Sequence, residues 1–308
     1  MRVAFLGPEG TWSHEALLVA APEGFEGFGL PSIRDVILAV RDGAVDRALA
    51  PADNALEGSV GPTIDTLALE APDVVAVGEI VHPISHALIA RSAIDLDAIH
   101  SVVSHPQASA QSARFLAREL PGAAVLPASS TAEAVRLLAG RDAGVAALGS
   151  RAAAERFGAV VLRDGVEDES GNTTRFLWLE RGAVAARAAD ANRDDPPAPE
   201  DERAGAGQGA LRAPGDGPGG RPHRTILLWW GDGASTPGWL VDCLACFAER
   251  SINLTRIESR PHRGIRGEFM FLVDLDGDAT RAPVSDALEA LRLRADHVRV
   301  LGSFPTTG

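Results

Sequence analysis

The segment best suited to carry chemistry in this sequence is Asn-Thr-Thr-Arg-Phe at residues 172–176. It follows an acidic, glycine-containing loop at residues 167–171 and precedes Leu-Trp-Leu at 177–179, an apolar run that predicts a buried strand. An amide, two hydroxyls and a guanidinium at the start of such a strand need partners, because burying each without one costs roughly 2 kcal/mol or more. A turn that caps the strand would also explain these residues. The segment alone therefore predicts either a turn or a ligand site.

Three further polar segments lie where parallel sheets present ligand sites, at the carboxyl ends of predicted strands and the starts of predicted helices. They are Gly-Pro-Glu-Gly-Thr-Trp-Ser-His at 7–14, Pro-Ala-Asp-Asn-Ala-Leu-Glu-Gly-Ser at 51–59, and Ser-His-Pro-Gln at 104–107. The first is neither a dinucleotide-binding glycine motif nor a phosphate-binding Walker loop, which argues against dinucleotides and nucleoside triphosphates. Its backbone N–H groups and hydroxyls still suit an anion.

Two pairs of polar side chains have helical spacing. Gln107 and Gln111 share one face of a predicted helix with Phe115, and amides on a face that otherwise buries apolar groups need a ligand or solvent as partner. His82 and His86 are also four apart, but a proline between them and the strand-like sequence around them break helical geometry. We interpret these two histidines as structural.

Composition limits the class of protein. The 308 residues are enough for two domains with separate cores, and the formal net charge of −13 argues against nucleic acid and anionic membranes as partners. No apolar run reaches the roughly 20 residues that cross a bilayer, and the N-terminus begins as a strand instead of a secretory signal. We therefore expect a cytoplasmic protein.

The two cysteines, Cys243 and Cys246, form a single Cys-x-x-Cys. A zinc site would need two more ligands, and a redox site would open a helix beside a βαβ unit. Here the motif lies inside an apolar helical pattern at residues 240–247. The pattern predicts two buried thiols and no metal.

Residues 1 to about 180 alternate strands and helices, which predicts an α/β domain with parallel sheets. Ser13, Ser32 and Ser130 are predicted to cap helices, the last in a capping box with Glu133. Predicted strands are residues 3–6, 48–51, 74–77, 85–90, 101–104, 125–127, 143–148 and 176–179.

The pattern stops at residues 183–222, where Ala, Gly, Pro and charged residues predict a disordered linker. Order resumes at residue 225 with strands at 225–229, 253–259, 268–275 and 297–301, and helices at 239–250 and 284–294. This β-α-β-β-α-β order is ferredoxin-like and is typical of small regulatory or binding modules.

Taken together, the segments resemble prephenate dehydratase with a C-terminal ACT regulatory domain. Six motifs carry the resemblance in order between Val3 and Pro305, at residues 7–14, 53–60, 104–107, 172–176, 258–261 and 301–305. The resemblance implies a two-lobed, periplasmic-binding-protein-like catalytic domain at 1–181, with lobe 1 at about 1–79 and 166–181 and lobe 2 at about 80–165. It also implies a linker at 182–222 and an ACT domain at 223–308.

The resemblance further implies conversion of prephenate to phenylpyruvate, water and CO2, without a metal or an organic cofactor. Thr174 would donate to the leaving hydroxyl and Arg175 would hold a carboxylate. The implied catalytic residues are Thr174, Arg175, Asn54, Ser104 and Gln111. The implied substrate-binding residues are Thr11, Ser13, Glu57, His105, Asn172 and Phe176.

In the second domain the resemblance implies feedback control by L-phenylalanine bound between paired subunits of a homodimer or homotetramer. The implied effector-binding residues are Gly238, Leu240, Asn253, Glu258, Ser259, Arg260 and Pro261. The chain departs from the family at Asp53 and Ala55, where Glu and Ser are usual, and at Trp239, which replaces a small residue. Its linker is also longer than usual.

Alternatives remain open at this point. Arogenate dehydratase performs the same chemistry on the amino-acid analogue of prephenate. The intact residues 174–176 and the ACT-like segment argue against a decarboxylase-like relative. A non-catalytic amino-acid sensor would use the cleft for binding alone. Thr174→Ala distinguishes the two, because it should abolish catalysis in an enzyme and matter little in a sensor.

Overall fold

The structure is a computed structural model that describes residues 1–182, 222–262 and 268–306. The predicted disordered linker at 183–222 therefore lies outside the described residues, apart from its last position. The chain forms two compact units: unit 1 contains Met1–Ile64 and Ile80–Trp178, and unit 2 contains Asp65–Glu79 and the chain from Leu179 onward. No helix in the described ranges is long and apolar enough to cross a membrane.

The first lobe of unit 1 is a sheet with helices around it. Its elements are β1 (Arg2–Leu6), α1 (Trp12–Ala20), β2 (Glu26–Leu30), α2 (Ile33–Arg41), β3 (Arg47–Asn54), β4 (Gly58–Ser59), the start of α3 (Gly61–Leu69) and β11 (Thr173–Arg181). The strand order is β2-β1-β3-β11, and β1 pairs in parallel with both β2 and β3. Phe5, Leu17, Leu49 and Phe176 form its buried core.

The second lobe has its own five-stranded sheet, in the order β10-β6-β9-β7-β8. Its elements are β6 (Ala87–Ala90), β7 (Ser101–Ser104), α4 (Pro106–Gln111), α5 (Ala113–Glu119), β8 (Ala124–Pro127), α6 (Thr131–Leu137), β9 (Val145–Gly149), α7 (Arg151–Phe157) and β10 (Val160–Asp164). The β7 strand is parallel to β8 and β9, whereas β6 and β10 run antiparallel. The predicted α/β class and its two lobes are confirmed, but the second sheet is mixed.

Two local predictions in unit 1 are wrong. Helix α1 is capped by Thr11, not by Ser13, because Thr11 has an extended backbone and its hydroxyl accepts the His14 N–H, while Ser13 already lies in the first turn. The helix predicted through Phe115 is broken at Ser112, whose φ of −120° and ψ of 20° end α4 before α5 begins. The caps at positions 32 and 130 are confirmed.

Unit 2 has the predicted β-α-β-β-α-β order. Its elements are β12 (His223–Trp230), α8 (Trp239–Ala248), β13 (Leu254–Pro261), β14 (Phe269–Asp276), α9 (Val284–Arg292) and β15 (His297–Pro305). The strand β12 is antiparallel to β14 and β15, and β13 is antiparallel to β14. At the other side, β15 meets β5 (Val74–Pro83) at Gly302 and Ala76, where a Cβ on Gly302 would lie 2.5 Å from the Ala76 carbonyl oxygen.

Both cysteines lie in the core of unit 2, as predicted, and both are free. Burial raises the pKa of the Cys243 thiol to about 11 and raises the pKa of Cys246 as well. Thiols with raised pKa values carry little thiolate and react slowly. Trp239 packs against the same core, and its indole N–H donates to the Arg294 carbonyl oxygen at 2.7 Å.

Candidate active site

A cavity of about 300 Å³ lies in unit 1 where the two lobes meet. Its walls come from the β1–α1 loop, the end of β3, the start of α4 and the start of β11. All four polar segments identified in the sequence therefore contribute side chains to one cavity. Seven of the residues proposed as catalytic or substrate-binding line it: Thr11, Ser13, Asn54, His105, Gln111, Asn172 and Thr174.

The β1–α1 loop is held by its own polar groups. The Thr11 hydroxyl lies 3.0 Å from the Leu6 carbonyl oxygen and 2.9 Å from that of Pro8, and it accepts the His14 N–H at the helix start. Because this hydroxyl is used to cap the helix, Thr11 can contribute little to binding a substrate carboxylate directly. The first turn of α1, at Trp12 and Ser13, lines the cavity and brings the positive end of the helix dipole to it.

His14 fixes the same loop from inside the lobe. Its Nδ1 accepts the Gly10 N–H at 3.1 Å, and its ring stacks on Phe5 with the ring centres 5.0 Å apart. Burial lowers the pKa of His14. The imidazole is therefore neutral at pH 7, with its proton on Nε2.

Asn54 and Thr174 meet because β3 and β11 are neighbours in the sheet, although 120 positions separate them in the sequence. The Asn54 Nδ2 donates to the Thr174 Oγ1 at 3.0 Å and to the Thr173 carbonyl oxygen at 3.2 Å. Its Oδ1 accepts the N–H groups of Leu56 and Glu57, which fixes the orientation of the amide. Since the Thr174 oxygen accepts from Asn54, its own hydroxyl proton remains available for a group bound in the cavity.

Arg175 points elsewhere. It does not line the cavity, and its Nε and Nη2 each lie 2.7 Å from the Asp53 Oδ2. Its side chain is 9% exposed and that of Asp53 is 29% exposed, so the pair is largely shielded from water. This geometry braces β3 against β11, and the predicted contact of Arg175 with a substrate carboxylate would require the pair to open.

Gln111 reaches across the cleft from the second lobe. Its Nε2 donates to the Glu57 Oε1 at 3.1 Å, and its Oε1 lies 2.9 Å from the Nε2 of His86. Glu57 itself is exposed and does not line the cavity, but it accepts a hydrogen bond from Gln111, which does. From the sequence we interpret His86 as structural, yet this buried ring lies in the cavity wall.

Of the remaining predicted residues, two line the cavity and two lie behind its wall. The His105 Nδ1 accepts the Gln107 N–H at 3.3 Å, so the neutral ring carries its proton on Nε2. Ser104 is 1% exposed and donates to the His105 carbonyl oxygen, which makes it a support of the turn. Phe176 lies in the core of the first lobe. Asn172 lines the cavity, and its buried Oδ1 has no hydrogen-bond partner within the described part of the chain.

The family model for prephenate dehydratase matches residues 3–183, which is more than half of the sequence and includes the whole cavity. The chain belongs to the prephenate dehydratase family. Prephenate dehydratase of Mycobacterium tuberculosis is 35% identical over 315 residues, which cover 99% of this chain and 87% of the relative.

Solved structures agree with this family assignment. Prephenate dehydratase of Arthrobacter aurescens in complex with L-Phe is 30% identical, with a TM-score of 0.77 over 99% of this chain and 90% of that chain. A protein described as a novel type of quorum-quenching acylase has the same TM-score of 0.77 at 28% identity, covering 100% of this chain and 98% of that one. The acylase activity in that name belongs to that protein and is not attributed to this chain.

Proposed function

We propose that this chain is a prephenate dehydratase that converts prephenate to phenylpyruvate, water and CO2. The observation that carries the proposal is the Thr174 hydroxyl, which lines the cavity and whose oxygen accepts from Asn54, so that its own proton is left for a bound group. The reaction suits such a site. Loss of CO2 supplies the electron pair that makes the ring aromatic, and the ring hydroxyl leaves at the opposite carbon, so the protein need not supply an oxidant or a reductant.

The leaving hydroxyl is the group that the protein has to assist. Prephenate carries two carboxylates, and the products are one carboxylate, CO2 and water, so one proton is consumed. Thr174 donates a hydrogen bond to the departing oxygen, and the Asn54 amide, which donates to the Thr174 oxygen, strengthens that bond as negative charge builds on the leaving group. The proton that is consumed comes from water, because a threonine hydroxyl is too weak an acid to give up its own. A preorganised donor of this kind contributes roughly 10²- to 10³-fold in rate.

The rest of the cavity supplies donors for a dianion. The first turn of α1 presents a helix N-terminus at Ser13, and the Gln111 amide has a second N–H besides the one bonded to Glu57. Arg175 acts in this proposal by holding Asp53, which precedes Asn54 in β3. A substrate carboxylate contacts Arg175 only if it displaces Asp53.

We also propose that the β-α-β-β-α-β part of unit 2 is an ACT regulatory domain that binds L-phenylalanine between paired subunits. In support, residues 258–261 lie on β13, the edge of the unit 2 sheet, and no described strand pairs with the outer side of β13. A second copy can therefore add its own strand there, giving a homodimer or homotetramer. The effector-binding residues are those named from the sequence: Gly238, Leu240, Asn253, Glu258, Ser259, Arg260 and Pro261.

Activity measurements with two substrates test the proposal. Purified protein is incubated with prephenate and, separately, with arogenate, each with and without added L-phenylalanine, and phenylpyruvate and phenylalanine are quantified. Phenylpyruvate from prephenate, lost in Thr174→Ala and suppressed by L-phenylalanine, is the expected result. Product from arogenate alone would move the proposal to arogenate dehydratase. Absence of product from both substrates, in a folded protein that binds L-phenylalanine, would favour a non-catalytic amino-acid sensor.

We also propose that the protein is cytoplasmic, as expected from its sequence.

A further inference from the structure

We infer that His86 is a positioning residue, which fixes the side-chain amide of Gln111 so that its NH2 end faces the substrate anion. The inference rests on the proposed dehydratase function and gives a role to a residue that we interpret from the sequence as structural. His86 lies between β5 and β6, where the chain passes from one lobe to the other.

The His86 ring is held on several sides. Its side chain is buried, with the residue 3% exposed, and its ring packs against that of Trp12 at an interplanar angle of 64°, with 5.8 Å between ring centres. Its backbone N–H donates to the Glu167 Oε2 at 2.8 Å. The Nε2 then lies 2.9 Å from the Gln111 Oε1. A ring fixed in this way can set the orientation of its hydrogen-bond partner.

The partners on both sides decide where the protons lie. Glu57 is a carboxylate and only accepts, so the Gln111 Nε2 at 3.1 Å must be the donor, and the Gln111 carbonyl must face His86. His86 therefore carries its proton on Nε2 and donates it. The buried His86 Nδ1 has no hydrogen-bond partner among the described residues, which fits a bare lone pair, because a proton there would be an unsatisfied buried donor.

This arrangement determines what the cavity offers to substrate. With the carbonyl held by His86, Gln111 turns its NH2 group to the cleft, where one hydrogen bonds Glu57 and the second is available to an anion. Without the His86 donor, only the exposed Glu57 among the described residues holds the amide, so the second N–H is no longer fixed toward the cleft and binds an anion less well. His86 thus acts on substrate binding through Gln111 and does not take part in the bond-breaking step.

Two amide substitutions of His86 test the inference, because they differ in how far the amide nitrogen reaches. In His86→Gln the amide nitrogen reaches the position of Nε2 and can donate to Gln111, whereas in His86→Asn it reaches only the position of Nδ1. Steady-state kinetics with prephenate should show KM within about threefold of wild type for H86Q and raised roughly tenfold for H86N, with kcat changed less in both. His82→Gln is the matched control, because His82 is also buried beside Trp12 but does not line the cavity. It should leave KM unchanged.

A double-mutant cycle separates positioning from a structural role. Gln111→Ala should raise KM about as much as H86N. The double variant should have the same KM as Gln111→Ala alone, since both substitutions remove the same His86–Gln111 hydrogen bond. Equal KM values for H86Q and H86N, or multiplied effects in the double variant, would overturn the inference while the wild type stays active. A wild type that does not convert prephenate would instead overturn the proposed function, and this inference with it. Thermal unfolding of each variant identifies any loss that comes from misfolding.

Discussion

Replacing Thr174 by valine is the most direct test of the chemistry, because it exchanges the hydroxyl for a methyl group of the same shape. The Thr174 oxygen accepts from Asn54 at 3.0 Å, so its hydroxyl proton is available to form the hydrogen bond that we propose to the leaving oxygen. Its loss should lower kcat by roughly 10²- to 10³-fold, equivalent to about 3 to 4 kcal/mol of transition-state stabilisation. KM should change little, because the interaction strengthens only as the hydroxyl leaves.

The structure also limits the effect of Thr174→Val on folding. The Asn54 amide keeps its bond to the Thr173 carbonyl oxygen at 3.2 Å, and its Oδ1 keeps the N–H groups of Leu56 and Glu57. One Asn54 N–H loses its acceptor, but Asn54 is only partly buried and lines the cavity, so water can take that hydrogen bond. The free energy of unfolding should therefore fall by only about 1 to 2 kcal/mol. Activity and stability should therefore separate clearly in this variant.

The assay quantifies phenylpyruvate formed from prephenate over a range of substrate concentrations, beside a urea unfolding curve for each variant. Thr174→Ser is the matched control, since it keeps a hydroxyl on the same strand, and it should retain activity within about tenfold of wild type. A kcat for Thr174→Val within tenfold of wild type would refute the reasoning. So would a loss confined to KM, because the hydroxyl would then serve ground-state binding.

Three further predictions concern the groups around the site and the second unit. Arg175→Met should lower the free energy of unfolding in urea by about 1 to 2 kcal/mol, because Asp53 loses its guanidinium but keeps part of its contact with water; a change below about 0.5 kcal/mol would contradict the bracing role. Burial lowers the pKa of His14, so the folded state prefers the neutral ring, and stability should fall as the pH drops below about 6.5. His14→Gln should flatten that fall in thermal unfolding between pH 7 and 5, because the bond from Gly10 no longer depends on an uncharged imidazole; an unchanged slope would contradict it. The raised pKa of Cys243, about 11, favours the protonated thiol, so stability should decrease from about pH 9 to 11 and a thiol reagent at pH 8 should react only after unfolding.

Local sequence patterns predicted elements that carry strong periodicity and missed those that do not. The strand at Ser101–Ser104 and the order of elements in unit 2 follow from apolar patterns, and both are confirmed. The strands Glu26–Leu30 and Val160–Asp164 were missed. The first has glycine at two of five positions and is mostly exposed, so its sequence shows little of the alternation that marks a half-buried strand.

Choices between similar neighbouring residues were also beyond the sequence. Thr11 and Ser13 are both good N-caps, and only the backbone conformation, extended at Thr11, decides that the first one caps α1. In the same way, His86 has a strand-like context that suggests a structural residue. Its role in the cavity wall depends on Gln111, which lies 25 positions away.

The sequence by itself determined the chemical inventory and its grouping: four polar segments at strand and helix ends, a small second module, and the motifs that place the chain in its family. It could not determine which side chains meet. The Asn54–Thr174 bond and the Arg175–Asp53 pair join positions 120 and 122 apart, and they exist because β3 and β11 become neighbours in one sheet. Consecutive residues on a strand point to opposite faces, so folding sends Thr174 into the cavity and Arg175 to Asp53. Only the tertiary structure could assign Thr174 to the cavity and Arg175 to the ion pair with Asp53, because the partner of each side chain is a residue that folding brings next to it.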